Sequence, residues 1–189
     1  MRLPSLTKEE LNASQLALYN SIVSGPRSNG PQHFHLIDHT GALTGPFGIM
    51  LHNPVLCRPL QELGAAIRYQ TSLSERIREL AILSVAADTD SSFERYAHER
   101  IGRAIGMTEQ ELSGLREGRF TSDEPKEAAA YELCEMLNRG QLPLSGDDFG
   151  RLSAILGNDV LLELVVLVGY YRTLSQLLHV FEVGPPHAT

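Results

Sequence analysis

The run Leu80-Ala81-Ile82-Leu83-Ser84-Val85-Ala86-Ala87 limits this chain's fold more than any other stretch. Wound as a helix at about 100° per residue, it shows apolar side chains on every side, and such a helix has to be enclosed by other elements. Ser74 is the expected N-cap, so the helix is predicted from Ser74 to about Ala87. The polar run Asp88-Thr89-Asp90-Ser91 then breaks it and leads into a second helix. There Phe93, Ala97, Ile101 and Ala104 form a core stripe, Arg95, Glu99 and Arg103 fall opposite, and Gly106 is the stop.

Three ionisable residues in this pair look placed rather than scattered. Glu79 shares a stripe with Leu83 and Ala86, so its carboxylate enters the interior or faces a cavity. One reading makes it a buried structural acid held by Arg76. Glu94 and His98 stand one turn apart at the border of the apolar stripe, a spacing at which a carboxylate can fix an imidazole's tautomer and raise its pKa. Such a pair is suited to general acid/base work. A competing reading takes Ser91-x-x-Glu94 as a capping box, with Glu94 serving only its own helix's backbone.

The arrangement Arg76, Glu79-Leu80-Ala81-Ile82-Leu83, Phe93-Glu94, Tyr96-Ala97-His98-Glu99 and Gly106-Met107-Thr108 resembles the carboxymuconolactone decarboxylase family, within the alkylhydroperoxidase D-like superfamily. The likeness runs from roughly Gly45 to Gly118. The superfamily's peroxidase branch has a C-x-x-C pair between its Glu and its His, and here those two positions are Ser91 and Glu94. Neither can supply the attacking thiolate or resolve a disulfide. The decarboxylase branch has E-x-x-x-H on this helix, which Glu94-Arg95-Tyr96-Ala97-His98 matches. The resemblance implies a helical bundle, no cofactor or metal, and a trimer or hexamer with pockets near the interfaces.

With 189 residues, 42% of them hydrophobic, the chain suits one globular domain with an adequate core. Its expected parts are an arm and long loop (1–45), a core motif (46–118) and C-terminal helices (119–189). A net charge of −7 with dispersed Lys and Arg gives no basic face for nucleic acid and no polybasic membrane patch. Cys57 and Cys134 read as buried thiols of a reducing cytoplasm, and Met1-Arg2-Leu3-Pro4 shows no signal-peptide pattern.

Thr7-x-x-Glu10 reads as a capping box, followed by an amphipathic helix from Ser14 to Val23 that Gly25-Pro26 ends. The long loop to Pro46 carries His33, His35, His39 and Asp38. Three imidazoles could form a zinc site, but their irregular setting favours a lid or pocket wall anchored by Phe34, Leu36 and Ile37. Further helices are expected over Phe47 to Leu51, Pro54 to Tyr69, Thr108 to about Arg116, from a Ser122 or Asp123 cap to Asn138, from Ser145 to Gly157, and from about Asn158 to Val183. His52 is a candidate cap for the first of these. In the last, Glu163 and Arg172 interrupt the apolar run, so core or subunit contact is expected rather than a membrane span.

Caps recur and no strand alternation occurs, so the expectation is an all-α fold of about eight helices with the central pair against the last helix. The expected activity is a cofactor-independent lyase acting on a small anionic lactone or keto acid through an enolate. His98 is the proton donor, Glu94 its orienting partner and Glu79 a second acid/base, with the two acids' roles exchangeable. Arg76 or Arg172 is the carboxylate clamp, and Tyr96 and His179 complete the substrate-binding candidates. The alternatives are an antioxidant thiol protein and a non-catalytic helical binding or assembly module.

Overall fold

In the computed structural model, residues 2–25, 27 and 33–186 are described, and they form an all-α structure without a strand. The helices are α1 (Ala13–Val23), α2 (Gly45–Met50), α3 (Pro54–Tyr69), α4 (Glu75–Asp88), α5 (Ser92–Ala104), α6 (Glu109–Arg116), α7 (Pro125–Asn138), α8 (Gly146–Leu156) and α9 (Asn158–Val180). The chain divides into two compact units, residues 71–175 and residues 1–70 with 176–189.

In the unit of residues 71–175, α4 is the enclosed helix that its sequence demands. Every residue from Ile77 to Ala86 is buried, and α5, α6 and α7 pack around it, with α8 on α7. The last helix was expected as the cover for α4, and it is α7 that lies along it most extensively. Leu80 and Leu83 meet Met107, Leu112, Leu115 and Phe120 in one core cluster. Burying such a side chain contributes about 1.5–3 kcal/mol.

The Ser74 cap is present, with the Ile77 N–H donating to its hydroxyl at 3.2 Å. The reversal into α5 runs through Asp90, whose φ of 50° lies in the left-handed region that Asp tolerates better than most residues. Arg95 pairs with it at 2.7 Å. Gly106, at φ 89°, ends α5 as expected. In α9, Leu161, Leu164, Leu167, Val168, Tyr171 and Leu174 are buried. Glu163 accepts from the Ser72 N–H and hydroxyl at 2.9 Å. This partner explains the charge of Glu163 in a helix that is long and apolar enough to cross a membrane by length and composition alone.

In the other unit, α3 packs against α1 and α2. The cap of α1 is Asn12, which exchanges bonds of 2.9 and 3.0 Å with Gln15. Thr7 and Glu10 close only a single 3₁₀ turn, because Leu11 is extended. His52 does not cap α2: its Nε2 lies 3.0 Å from the Pro4 carbonyl oxygen. The histidine-bearing loop is a tight reversal from residue 33 onward. Ile37 and Leu43 form an isolated antiparallel bridge, and Asp38 Oδ1 accepts from Thr40 and Ala42 N–H groups at 2.8 and 3.2 Å. Among the described residues no three His, Cys, Asp or Glu side chains are grouped as metal ligands.

Two other boundaries differ from expectation. Glu124 rather than Ser122 or Asp123 caps α7, because the Ser122 hydroxyl is committed to Glu127 at 2.9 Å. Helix α9 stops at Val180, where Glu182 turns left-handed at φ 52°.

Candidate functional site

Helices α4 and α5 bring Glu79, Glu94 and His98 together in the interior of the 71–175 unit. Their exposures are 0%, 3% and 6%. His98 Nδ1 lies 2.6 Å from Glu79 Oε2. Its Nε2 lies 3.4 Å from Glu94 Oε2, a longer and weaker contact. Burial alone would push the imidazole's pKa down. The Glu79 carboxylate, and after it Glu94, outweighs burial and lifts it from 6.5 to about 8.

At neutral pH, then, His98 is largely imidazolium, with Nδ1–H donating to Glu79. The tight contact fixes the ring and leaves Nε2 as its less committed proton. Of the two acids, Glu79 makes the tighter contact with the ring and Glu94 the looser one. Glu94 is not a capping residue, since its Oε2 faces the imidazole and the Ser91 hydroxyl makes no cap bond.

Two neighbours complete the cluster, and neither was a sequence-level candidate. Arg78 Nε lies 3.7 Å from Glu79 Oε1. Adjacent helix positions point in different directions, so helical periodicity gives no hint of Arg78 beside Glu79. Tyr171 of α9 packs edge-on to the His98 ring, with centroids 5.3 Å apart and planes at 89°. Its only sequence signal is an aromatic residue in an apolar helix.

The substrate-binding candidates lie elsewhere. Arg76 does not hold Glu79: its guanidinium bonds Glu127 and Glu111 at 2.6 and 2.5 Å. These bonds raise the Arg76 pKa and lower that of Glu127, so Arg76 fastens α4 to α6 and α7. Arg172 is engaged by Asp88 at 2.6 Å and by Asn138 Oδ1 at 3.2 Å. The Tyr96 ring is half-buried under Arg100, whose guanidinium carbon lies 3.7 Å from the ring centroid. His179 is exposed and belongs to the other unit. A cleft of about 550 Å³ beside α6, lined by Thr108, Ser113 and Phe120 among others, includes none of Glu79, Glu94 and His98.

Both cysteines are buried free thiols. Desolvation raises the Cys57 pKa and, ahead of a smaller effect of Glu135, pushes Cys134 up to about 12.

Residues 54–135 match the model of the carboxymuconolactone decarboxylase family, a span that holds Glu79, Glu94 and His98 but not Tyr171. No curated protein matches the chain. A solved structure from Ralstonia eutropha JMP134, an uncharacterized peroxidase-related protein with an alkylhydroperoxidase AhpD core, is similar with a TM-score of 0.76 at 13% identity. That likeness covers 98% of this chain and 92% of that one. A second, from Agrobacterium tumefaciens, is a protein of unknown function named as a candidate antioxidant-defence AhpD. It has a TM-score of 0.65 at 17% identity and covers 74% of this chain and 97% of that one. At these identities the likeness concerns the fold.

Proposed function

We propose, from the premise that residues 54–135 are a carboxymuconolactone decarboxylase family segment in an alkylhydroperoxidase D-like fold, that the protein is a lyase of that type. It acts on a small lactone acid or keto acid, without a redox thiol. Loss of carbon dioxide from such an acid leaves the bond's electron pair on the carbon framework as an enolate. The protein must stabilise that enolate and return one proton to carbon. His98 Nε2–H supplies this proton, Glu79 holds the ring and favours its charged form, and Glu94 assists the transfer. Solvent then restores the imidazolium.

The observation that carries the reading is the buried 2.6 Å contact between Glu79 and His98, with the imidazole pKa lifted to about 8. A group of that pKa is charged at neutral pH and still able to give up its proton. The test is a panel of lactone acids and keto acids assayed for carbon dioxide release by wild type and His98→Ala. Turnover by the wild type should fall by about 10²-fold or more in the variant, the range for loss of a positioned acid. Equal activity in the two proteins would remove His98 as proton donor.

An antioxidant thiol activity is the second reading, kept because both solved relatives have AhpD in their names. It requires a thiolate, and burial holds both cysteines in the thiol form.

A further inference from the structure

We infer that Ser91 is a ligand-positioning residue: its hydroxyl, together with Glu94 Oε1, seats a hydroxyl or enol oxygen of the substrate beside His98. The inference rests on the proton-transfer reading above and specifies which end of the substrate faces α5.

Among the described residues five α-helices start from an N-cap hydroxyl, and Thr44 of α2 makes no cap bond but donates to the His35 carbonyl at 2.6 Å. Ser74, Thr108 and Ser145 each accept a first-turn N–H, at 3.2, 3.2 and 3.0 Å. Ser91, at the same position of α5, does not. Its Oγ has no hydrogen-bond partner among the described residues, although Ser91 is only 1% exposed. Its own N–H donates elsewhere, to the Ala86 carbonyl at 2.9 Å. One helical turn on, Glu94 uses Oε2 toward His98, and its Oε1 is likewise buried and without a partner.

Buried polar atoms are almost always paired, so two unpaired ones from one turn, one of them on the carboxylate that faces His98, call for a partner from outside the chain. The chemistry of the pair narrows that partner. An ionised carboxylate oxygen only accepts, so the ligand must bring a donor. A ligand carboxylate would oppose Glu94 with like charge. A hydroxyl or enol satisfies both atoms, donating to Glu94 Oε1 and accepting from the Ser91 O–H. A substrate carboxylate is therefore directed away from this turn.

Acetohydroxamic acid, which carries N–H and O–H donors, and acetate, which carries none, are the probes. Each is titrated into the protein while the His98 imidazole resonances are followed by NMR, in wild type and in Ser91→Ala. Acetohydroxamic acid should move the His98 signals saturably, acetate should not, and Ser91→Ala should weaken the hydroxamate by about threefold to tenfold, the worth of one hydrogen bond. The thermal midpoint of Ser91→Ala should equal or exceed that of wild type, because a hydroxyl without an internal partner is being removed. Unchanged hydroxamate affinity in Ser91→Ala, acetate binding as tightly, or a lowered midpoint would overturn the role of Ser91 and leave the proton-transfer site standing. Absence of any hydroxamate effect at His98 would overturn both.

Discussion

Replacing Glu79 by Gln removes one charge from the most buried contact of the site and keeps its shape. In wild type the imidazole pKa is 6.5 in the unfolded chain and about 8 in the folded one. At about 1.4 kcal/mol per pH unit the difference is roughly 2 kcal/mol. The sign follows from proton binding: a raised folded-state pKa means that the native state holds more protons. Stability from His98 is thus fully present below 6.5, fades as the pH rises, and is lost above about 8. In Glu79→Gln the amide oxygen can still accept from Nδ1–H, but desolvation is now opposed chiefly by Glu94, so the imidazole pKa should fall by at least one unit. Denaturant unfolding of both proteins at intervals from pH 6 to 9 reads the consequence. Below pH 6.5 the variant should be less stable by about 1.4 kcal/mol or more, with the gap narrowing toward pH 8. NMR titration of the His98 imidazole checks the same shift directly. A gap that is flat across this range, or a His98 pKa unmoved by the substitution, would refute electrostatic control of the imidazole by Glu79.

Two further outcomes follow from groups around the site. Arg76→Ala should destabilise the fold by about 2–4 kcal/mol, because it strands the largely buried Glu127. Arg76→Lys should restore only part of this, since an ammonium cannot reproduce the guanidinium's bonds to two carboxylates. Cys57 and Cys134 should react with a thiol reagent at pH 7.5 far more slowly than in denatured protein, and peroxide consumption should stay at background. Rapid native modification of either would reopen the thiol reading.

Much of the fold was legible because local and global requirements agree. The all-round apolar run at Leu80–Ala87 fixes an enclosed helix, and Ser74, Thr108 and Ser145 mark helix starts through bonds a serine or threonine makes wherever the turn forms. Thr7 and Glu10 form their local box and the next helix runs from Ala13 to Val23, close to the expected Ser14 start. A tertiary contact outbids a local signal in α5. Ser91 and Glu94 have the spacing of a capping box, but Glu94 turns to His98.

The same contrast separates the visible part of the site from the hidden part. Glu79, Glu94 and His98 were readable because helical periodicity alone puts them at the α4–α5 contact. Which arginine serves Glu79 was not readable. Arg76 is three residues from it, a spacing that favours a meeting on an isolated helix, yet in the fold Arg76 has two better acids on other helices. Arg78 reaches Glu79 instead, and Tyr171 approaches His98 from α9. Such long-range partners depend on which helix faces which, information that composition and periodicity do not carry. The site's electrostatics are thus set partly outside its motif. A protein sharing E-x-x-x-H but lacking an aromatic at 171 should bury its imidazole less and hold it at a different pKa. Grafting the motif residues alone would therefore not transfer the titration behaviour of His98.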